Sequence, residues 1–242
     1  MNNINSILSK ELNISIKYID AVIDLLDQGN TVPFIARYRK EVTGGMSDET
    51  LRELFERLTY LRNLKSKKED VIRLIDEQGK LTEELKLSIL NCKTVTEVDD
   101  LYRPYRPKRR TRATIAEEKG LKPLAKLILE GNFKEDIKIY ASEFINEEKE
   151  VKTVEDALQG AMDIISEIIS DEAEYRKWIR NFVFNEGILE IKGESEEPTP
   201  YEMYYDYKEK VKTIPSHRIL AINRGEKEKI IKQLKLPVMK IK

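Results

Sequence analysis

The sequence predicts an all-α protein: a multi-helix amino-terminal module with one long central helix, then a less regular basic carboxy-terminal segment. Three observations predict it. Glycine and proline together account for 18 of 242 residues, about 7% where ~12% is usual, so helix breakers are scarce. Charged residues make up 36% of the chain, as solvated helix faces require. Apolar residues recur at helical spacing as far as about residue 187.

The elements follow in order. Ile16, Ile19, Val22, Ile23 and Leu26 form one stripe, with Ser15 where an N-cap belongs and Gly29 where a helix ends. Pro33 suits a first helical turn, and a short helix runs through Arg37–Glu41 and stops before Gly44-Gly45. The longest helix is capped by Ser47 and terminated by Gly79. Its seam, Leu51, Leu54, Leu58, Leu61, Lys65, Lys68, Ile72 and Ile75, keeps a seven-residue spacing broken by two lysines. One reading is a helix packed at both ends and bridged by solvent between them. The other is a coiled-coil contact, against which the break weighs, because a sustained seam needs 3–4 unbroken heptads.

Shorter helices are expected at Thr82–Cys92, from Thr94 with a Thr-x-x-Glu capping box to Glu97, from Thr114 with the same box to Glu117, and from Lys122-Pro123 to Gly131. Further helices are expected at Asp136–Phe144, at Val154–Ile169 with a face of Ala157, Leu158, Ala161, Ile164, Ile165 and Ile168, and at Asp171–Phe184. Gly193–Pro200 reads as an exposed connector, Tyr201, Tyr204, Tyr205 and Tyr207 cluster after it, and Leu236–Lys242 alternates like a strand with no obvious partner, as if cut from a longer chain. The domain expectation is a helical domain over 1–187 and a connector with a basic segment over 188–242.

The net charge of −1 is a cancellation between blocks. Residues 1–142 carry +3, 143–207 carry −12 and 208–242 carry +8, and potentials act over about a Debye length. One cysteine (Cys92) and one histidine (His217) exclude an internal disulfide and a Cys/His zinc site of about four ligands. Met1–Lys10 lacks the apolar core of a signal peptide, and no stretch approaches the ~18 apolar residues of a membrane span, so a cytoplasmic location is expected. No Gly-rich phosphate loop accompanies Gly44-Gly45. His217 has only adjacent Ser216 as a companion, and adjacent residues rarely have the geometry of a catalytic pair. The expectation is a protein without catalysis, cofactor or metal.

The most informative stretch is Leu101–Thr114. Arg103, Arg106, Lys108, Arg109, Arg110 and Arg112 make six of ten residues basic, Pro104 and Pro107 prevent a helix, and Tyr102 and Tyr105 are interleaved. Guanidinium forks with aromatic faces suit a phosphate backbone or an acidic partner. The bland reading is that some of these arginines bridge helix carboxylates such as Asp99 and Asp100, and the two readings can coexist. In Thr31–Glu41, Phe34, Ile35 and Tyr38 make one face and Arg37, Arg39 and Lys40 another, which is either a helix closing the core or a second basic patch. In the third stretch, Ile214–Arg218 and Arg224-Gly-Glu, Pro215 or Ser216 starts a helix carrying Ile219, Leu220 and Ile222, and His217, Arg218 and Arg224 are contact candidates.

Taken together, 31–45, 100–113 and 216–226 resemble the amino-terminal part of the Tex family of bacterial transcription accessory proteins, which have eukaryotic elongation-factor relatives. The resemblance implies a helical amino-terminal module whose family members continue into a ribonuclease-H-like domain, helix-hairpin-helix repeats and an S1 domain. In the family, nucleic-acid binding is attributed largely to the S1 domain, so the resemblance implies transcription only as context; the local basic charge is what points to a non-catalytic, nucleic-acid-associated scaffold. Its implied partners are RNA or DNA in the longer protein, its own downstream domains and transcription machinery. The alternative is a protein-docking scaffold that never touches nucleic acid.

Overall fold

The computed structural model describes residues 4–131, 135–193 and 199–236, with backbone alone for 233–236. It divides into two compact units, 1–105 and 106–242. The first begins with α1 (Ile4–Leu12), α2 (Ile16–Asp27) and α3 (Val32–Tyr38). α4 (Asp48–Asp76), α5 (Glu83–Asn91) and α6 (Val95–Tyr102) complete it.

Caps set these boundaries. Ser47 Oγ accepts from the Thr50 amide at 3.1 Å, and Thr82 and Thr31 receive matching bonds from Leu85 and Phe34. Thr94 and Glu97 form the expected reciprocal box. Ser15 sits at the start of α2 but makes no side-chain cap bond. α3 stops at Tyr38 rather than Glu41, because Arg39 leaves helical geometry and Val42 and Thr43 donate back to the Arg39 carbonyl.

Two cores share α4. Leu51, Leu54, Leu58 and Leu61 close on Leu8, Ile19, Val22 and Ile35. Leu64, Val71 and Ile75 close on Ile89 and Val98 of α5 and α6. The two clusters meet α4 in succession, and none of residues 65–70 between Leu64 and Val71 is buried. The buried residues step through Leu64 and Val71 rather than Lys65 and Ile72, so the strict heptad fails. At 100° per residue the mean directions of the two buried sets differ by roughly a quarter turn. Lys65 therefore points to solvent, where it pairs with Glu69. Lys68 lies on the second face, half-buried, and its Nζ donates to the Leu90 carbonyl at 2.7 Å. Arg57 forks onto Glu11 at 2.7 and 2.8 Å and Arg62 onto Asp27 at the same distances, joining α4 to α1 and α2.

The second unit opens with α7 (Arg112–Glu118), α8 (Lys122–Glu130), α9 (Ile137–Ser142), α10 (Val154–Asp171) and α11 (Ala173–Glu186). Its helical core gathers Ala116, Leu124, Ala141, Ala157, Ala161 and Ile164. Small residues dominate, so the backbones approach closely. α7 begins three residues before the expected box: Thr111, not Thr114, is the N-cap and accepts from the Thr114 amide at 3.1 Å. Thr153 and Asp156 form a box on α10 that sequence reading missed. Ile168, placed in the α10 apolar face, is 50% exposed, and Asp171 belongs to α10 rather than to the next helix.

The basic carboxy-terminal part is more regular than expected. β1 (Ile188–Gly193), β2 (Tyr207–Lys210) and β3 (Ile231–Leu236) form an antiparallel sheet in the order β2-β1-β3. α12 (Ser216–Lys227) covers it. β1 pairs Ile188 with Lys210 on one side and with Leu236 on the other. The core here is Leu189, Ile191, Tyr201, Tyr204, Ile222 and Ile231. A Cβ on Gly225 would lie 2.9 Å from Ile231, so only glycine lets α12 approach β3 this closely. Of the three apolar residues expected on α12, Ile222 is buried, whereas Ile219 and Leu220 are 40% and 70% exposed. Leu236 has its partner in β1, whereas the expected strand beyond it and most of the expected 193–200 connector lie outside the described residues.

Truncating the seam distinguishes the two registers. Leu64→Ala is expected to cost about 2–5 kcal/mol and Lys65→Ala less than ~0.5 kcal/mol. Urea unfolding of both variants checks this; equal losses would restore the heptad.

Candidate functional site

The basic stretch crosses from the first unit into the second, and each part of it is held within its own unit. α6 delivers Leu101 and Tyr102 to the second core of the first unit, and Tyr105 packs there after a single 3-10 turn at Arg103–Tyr105. Gln78 Nε2 donates to the Tyr105 carbonyl at 3.0 Å. The two tyrosines read as interleaved stacking faces are thus half-buried in that core. On the other side Lys108 is bonded to Asp171 and lies 3.1 Å from Glu167. Thr111 Oγ1 donates to Glu167 at 3.0 Å while also capping α7. Burial pulls the Lys108 ammonium down, but hydrogen bonds to Asp171 and Glu167 outweigh it and hold the pKa above the usual lysine value. Lys108 is a fastening of the loop.

Charge along the loop is then sorted. Arg110 is 2.8 Å from Glu118 in an exposed pair, and Arg103 also has an interaction. Asp99, a candidate loop partner, is instead paired with Lys67 at 2.9 Å. Arg106, Arg109 and Arg112 are exposed and make no ion pair or hydrogen bond among the described residues. Arg112 opens α7, where the helix dipole does not favour a cation.

The second patch is anchored by Ile35, which is fully buried. The apolar face was expected to include Tyr38, but its ring is 55% exposed and tilted against Phe34 at 5.2 Å. Arg39 stacks over Phe34 at 5.4 Å and donates to the Tyr38 carbonyl. Arg37 and Lys40 are exposed and unpaired among the described residues. The Lys40 carbonyl accepts from the Gly45 amide at 2.9 Å, closing the turn. Gly44 there has φ +66° and lies against the Tyr18 ring, where a Cβ would come within 2.8 Å.

The third stretch is internally satisfied. Arg218 Nη1 donates to the Tyr207 hydroxyl at 2.8 Å and to Glu209 at 3.0 Å, and its guanidinium lies over the Tyr207 ring. Arg224 is 3.0 Å from Glu228, which also accepts from Tyr201. His217 is exposed on the first turn of α12, with no hydrogen bond among the described residues. Hydrogen bonding from Tyr207 first, then Arg218, holds Glu209 below the usual glutamate value, and Arg224 and Tyr201 do the same for Glu228. The described residues contain no group of three His, Cys, Asp or Glu that could hold a metal ion, and no helix among them is long and apolar enough to cross a membrane.

Comparison with known proteins gives two family matches. The Tex-like protein N-terminal domain matches residues 2–76, and the Tex central region-like model matches residues 132–241. YdcI of Bacillus subtilis is 49% identical over 93% of this chain and 32% of its own. The transcriptional accessory protein Tex of Neisseria gonorrhoeae is 43% identical over 95% of this chain and 30% of its own. The human S1 RNA-binding domain-containing protein 1 is 29% identical over 93% of this chain and 23% of its own. The chain thus spans about a third of the length of these two bacterial relatives.

The pKa directions fix a pH dependence. Carboxylates held low in the folded state contribute stability that is present above their unfolded value of 4.5 and lost as pH falls through the folded value. Denaturant midpoints are therefore expected to drop on acidification below about pH 4.5. Glu209→Gln should remove part of that drop; a variant losing as much stability as the wild type between pH 5 and pH 3 would contradict the pairing.

Proposed function

Because this chain belongs to the Tex family and carries its amino-terminal and central regions, we propose that it is a non-catalytic helical scaffold. It presents one fixed basic loop to nucleic-acid phosphates within a transcription accessory protein. The observation that carries the reading is the set of exposed, unpaired guanidiniums at Arg106, Arg109 and Arg112, on a segment whose Lys108 and Thr111 are fastened to α10. A surface that leaves three cations unneutralised while pairing their neighbours has its charge available to a polyanion. Fastening the backbone lowers the ordering cost of binding. Arg37 and Lys40 form a second, smaller basic surface in the first unit.

The relatives' names point the same way: one is a transcriptional accessory protein and another carries an S1 RNA-binding domain. Arg218 and Arg224 serve the scaffold in this reading, since each is occupied by glutamate. His217 has no base or nucleophile bonded to it among the described residues, which favours a contact role over acid–base work. The remaining parts of the longer polypeptide and transcription machinery are the proposed protein partners.

Fluorescence anisotropy against single-stranded RNA and duplex DNA at two salt concentrations tests the proposal. Three phosphate contacts predict a log K versus log salt slope of about −2 on single strands and about −3 on duplex. Arg106→Ala with Arg109→Ala and Arg112→Ala should flatten the slope, whereas Arg218→Ala should leave it unchanged. Salt-independent binding, or none at low salt, would sink the phosphate reading.

A further inference from the structure

α11 is built inside out. Its half-buried residues are Ala173, Arg176, Arg180, Phe182 and Val183, whereas Tyr175, Trp178 and Ile179 are 54%, 56% and 51% exposed. At 100° per residue Tyr175, Trp178, Ile179 and Phe182 share one stripe about 100° wide, and Arg176, Arg180 and Val183 lie on another face. Arg176 donates to the Ser170 carbonyl at 3.2 Å, so the charged face is the one turned to the unit's own backbone. Trp178 and Phe182 stack on each other at 5.4 Å. Ile168 and Ile169 at the end of α10 are 50% and 46% exposed. Among the described residues, α11 is the one α-helix that buries no residue. A 14-residue helix is marginal without tertiary packing, and an apolar stripe of this width marks a contact surface.

We propose that this stripe docks an apolar face from the rest of the longer Tex-family polypeptide. Two facts choose that occupant. About two thirds of each bacterial relative lies outside the stretch matching this chain. Leu236 pairs with Ile188, one residue past Gly187, so β3 ends at the carboxy-terminal foot of the helix that carries the stripe. A segment tethered there meets α11 at an effective concentration on the order of millimolar, which lets a weak contact be occupied. Aliphatic Ile179, Ile168 and Ile169 suit a protein face better than stacked bases, which favour aromatic platforms. The proposal is independent of the phosphate reading, because α11 contributes nothing to the basic loop's free arginines.

Trp178 is the only tryptophan, so 5-fluorotryptophan labelling gives one 19F signal that reports on the stripe. Unlabelled polypeptide comprising the part of YdcI outside the matched stretch is added to the labelled chain. The expected result is a new Trp178 resonance that no longer shifts between light and heavy water. Ile179→Asp with Phe182→Asp should abolish it at unchanged helical circular dichroism; Tyr175→Ser, a milder change, should weaken it. A shift that grows with the concentration of the labelled chain alone would assign the stripe to a second copy. A shift produced only by single-stranded RNA would assign it to base stacking. Either result, or no shift under any condition, overturns the proposal. RNA anisotropy unchanged by the Asp variant keeps this outcome separate from that of the loop.

Discussion

A single rigid helix has to serve two cores, and the first unit follows from that constraint. α4 is 29 residues long, about 43 Å at 1.5 Å per residue. Its first half closes one cluster and its second half another. The two buried faces are turned from one another, so neither cluster extends into the other. Tyr60 packs on the margin of both. The helices on each side are placed by which part of α4 they meet: α1, α2 and α3 along Leu51–Leu61, α5 and α6 along Leu64–Ile75. A breaker anywhere between Leu58 and Val71 would sever that arrangement, and the chain has none there.

Most helices were legible because their signals are local. Threonine and serine caps with apolar stripes identified α4, α5 and α6, and Pro123 with Gly131 identified α8, to within a residue or two. Misreadings arose where competing local signals looked equal. Thr111 and Thr114 both offer a hydroxyl, and Pro107 does not decide between them; the bond from Thr111 to Glu167, 56 residues away, does. The sheet was hidden for a different reason. β1 is six residues after a helix, β2 only four, and their partners are separated by a turn and a helix, so no hairpin signal links them. The seam of α4 was read with a seven-residue period, and a straight helix drifts ~20° per heptad from it.

The basic loop shows how little a count of charges says before the partners are known. Six cations in ten residues suggested one broad patch. Lys108 is taken up by two carboxylates of α10, and Arg110 is tied to Glu118. What remains is a spaced row, Arg106, Arg109 and Arg112. The acidic excess of 143–207, which sequence alone leaves as a block, has a local use in the same place, since Glu167 and Asp171 belong to it. Buried or half-buried carboxylates of this kind orient a neighbour more than they stabilise the fold.

The sheet carries one more consequence, for the order in which the protein assembles during synthesis. β1 is the central strand, yet one of its two neighbours is β3, which starts at Ile231, 43 residues after Ile188. On the ribosome, where chains emerge at ~5–20 residues per second, β1 must wait several seconds with one edge unpaired. The helical part of the unit needs nothing from beyond residue 187 to close its own core. The nascent chain therefore completes its helices first and seals its sheet last, and an unpaired strand edge during that interval is what a trigger-type chaperone would meet.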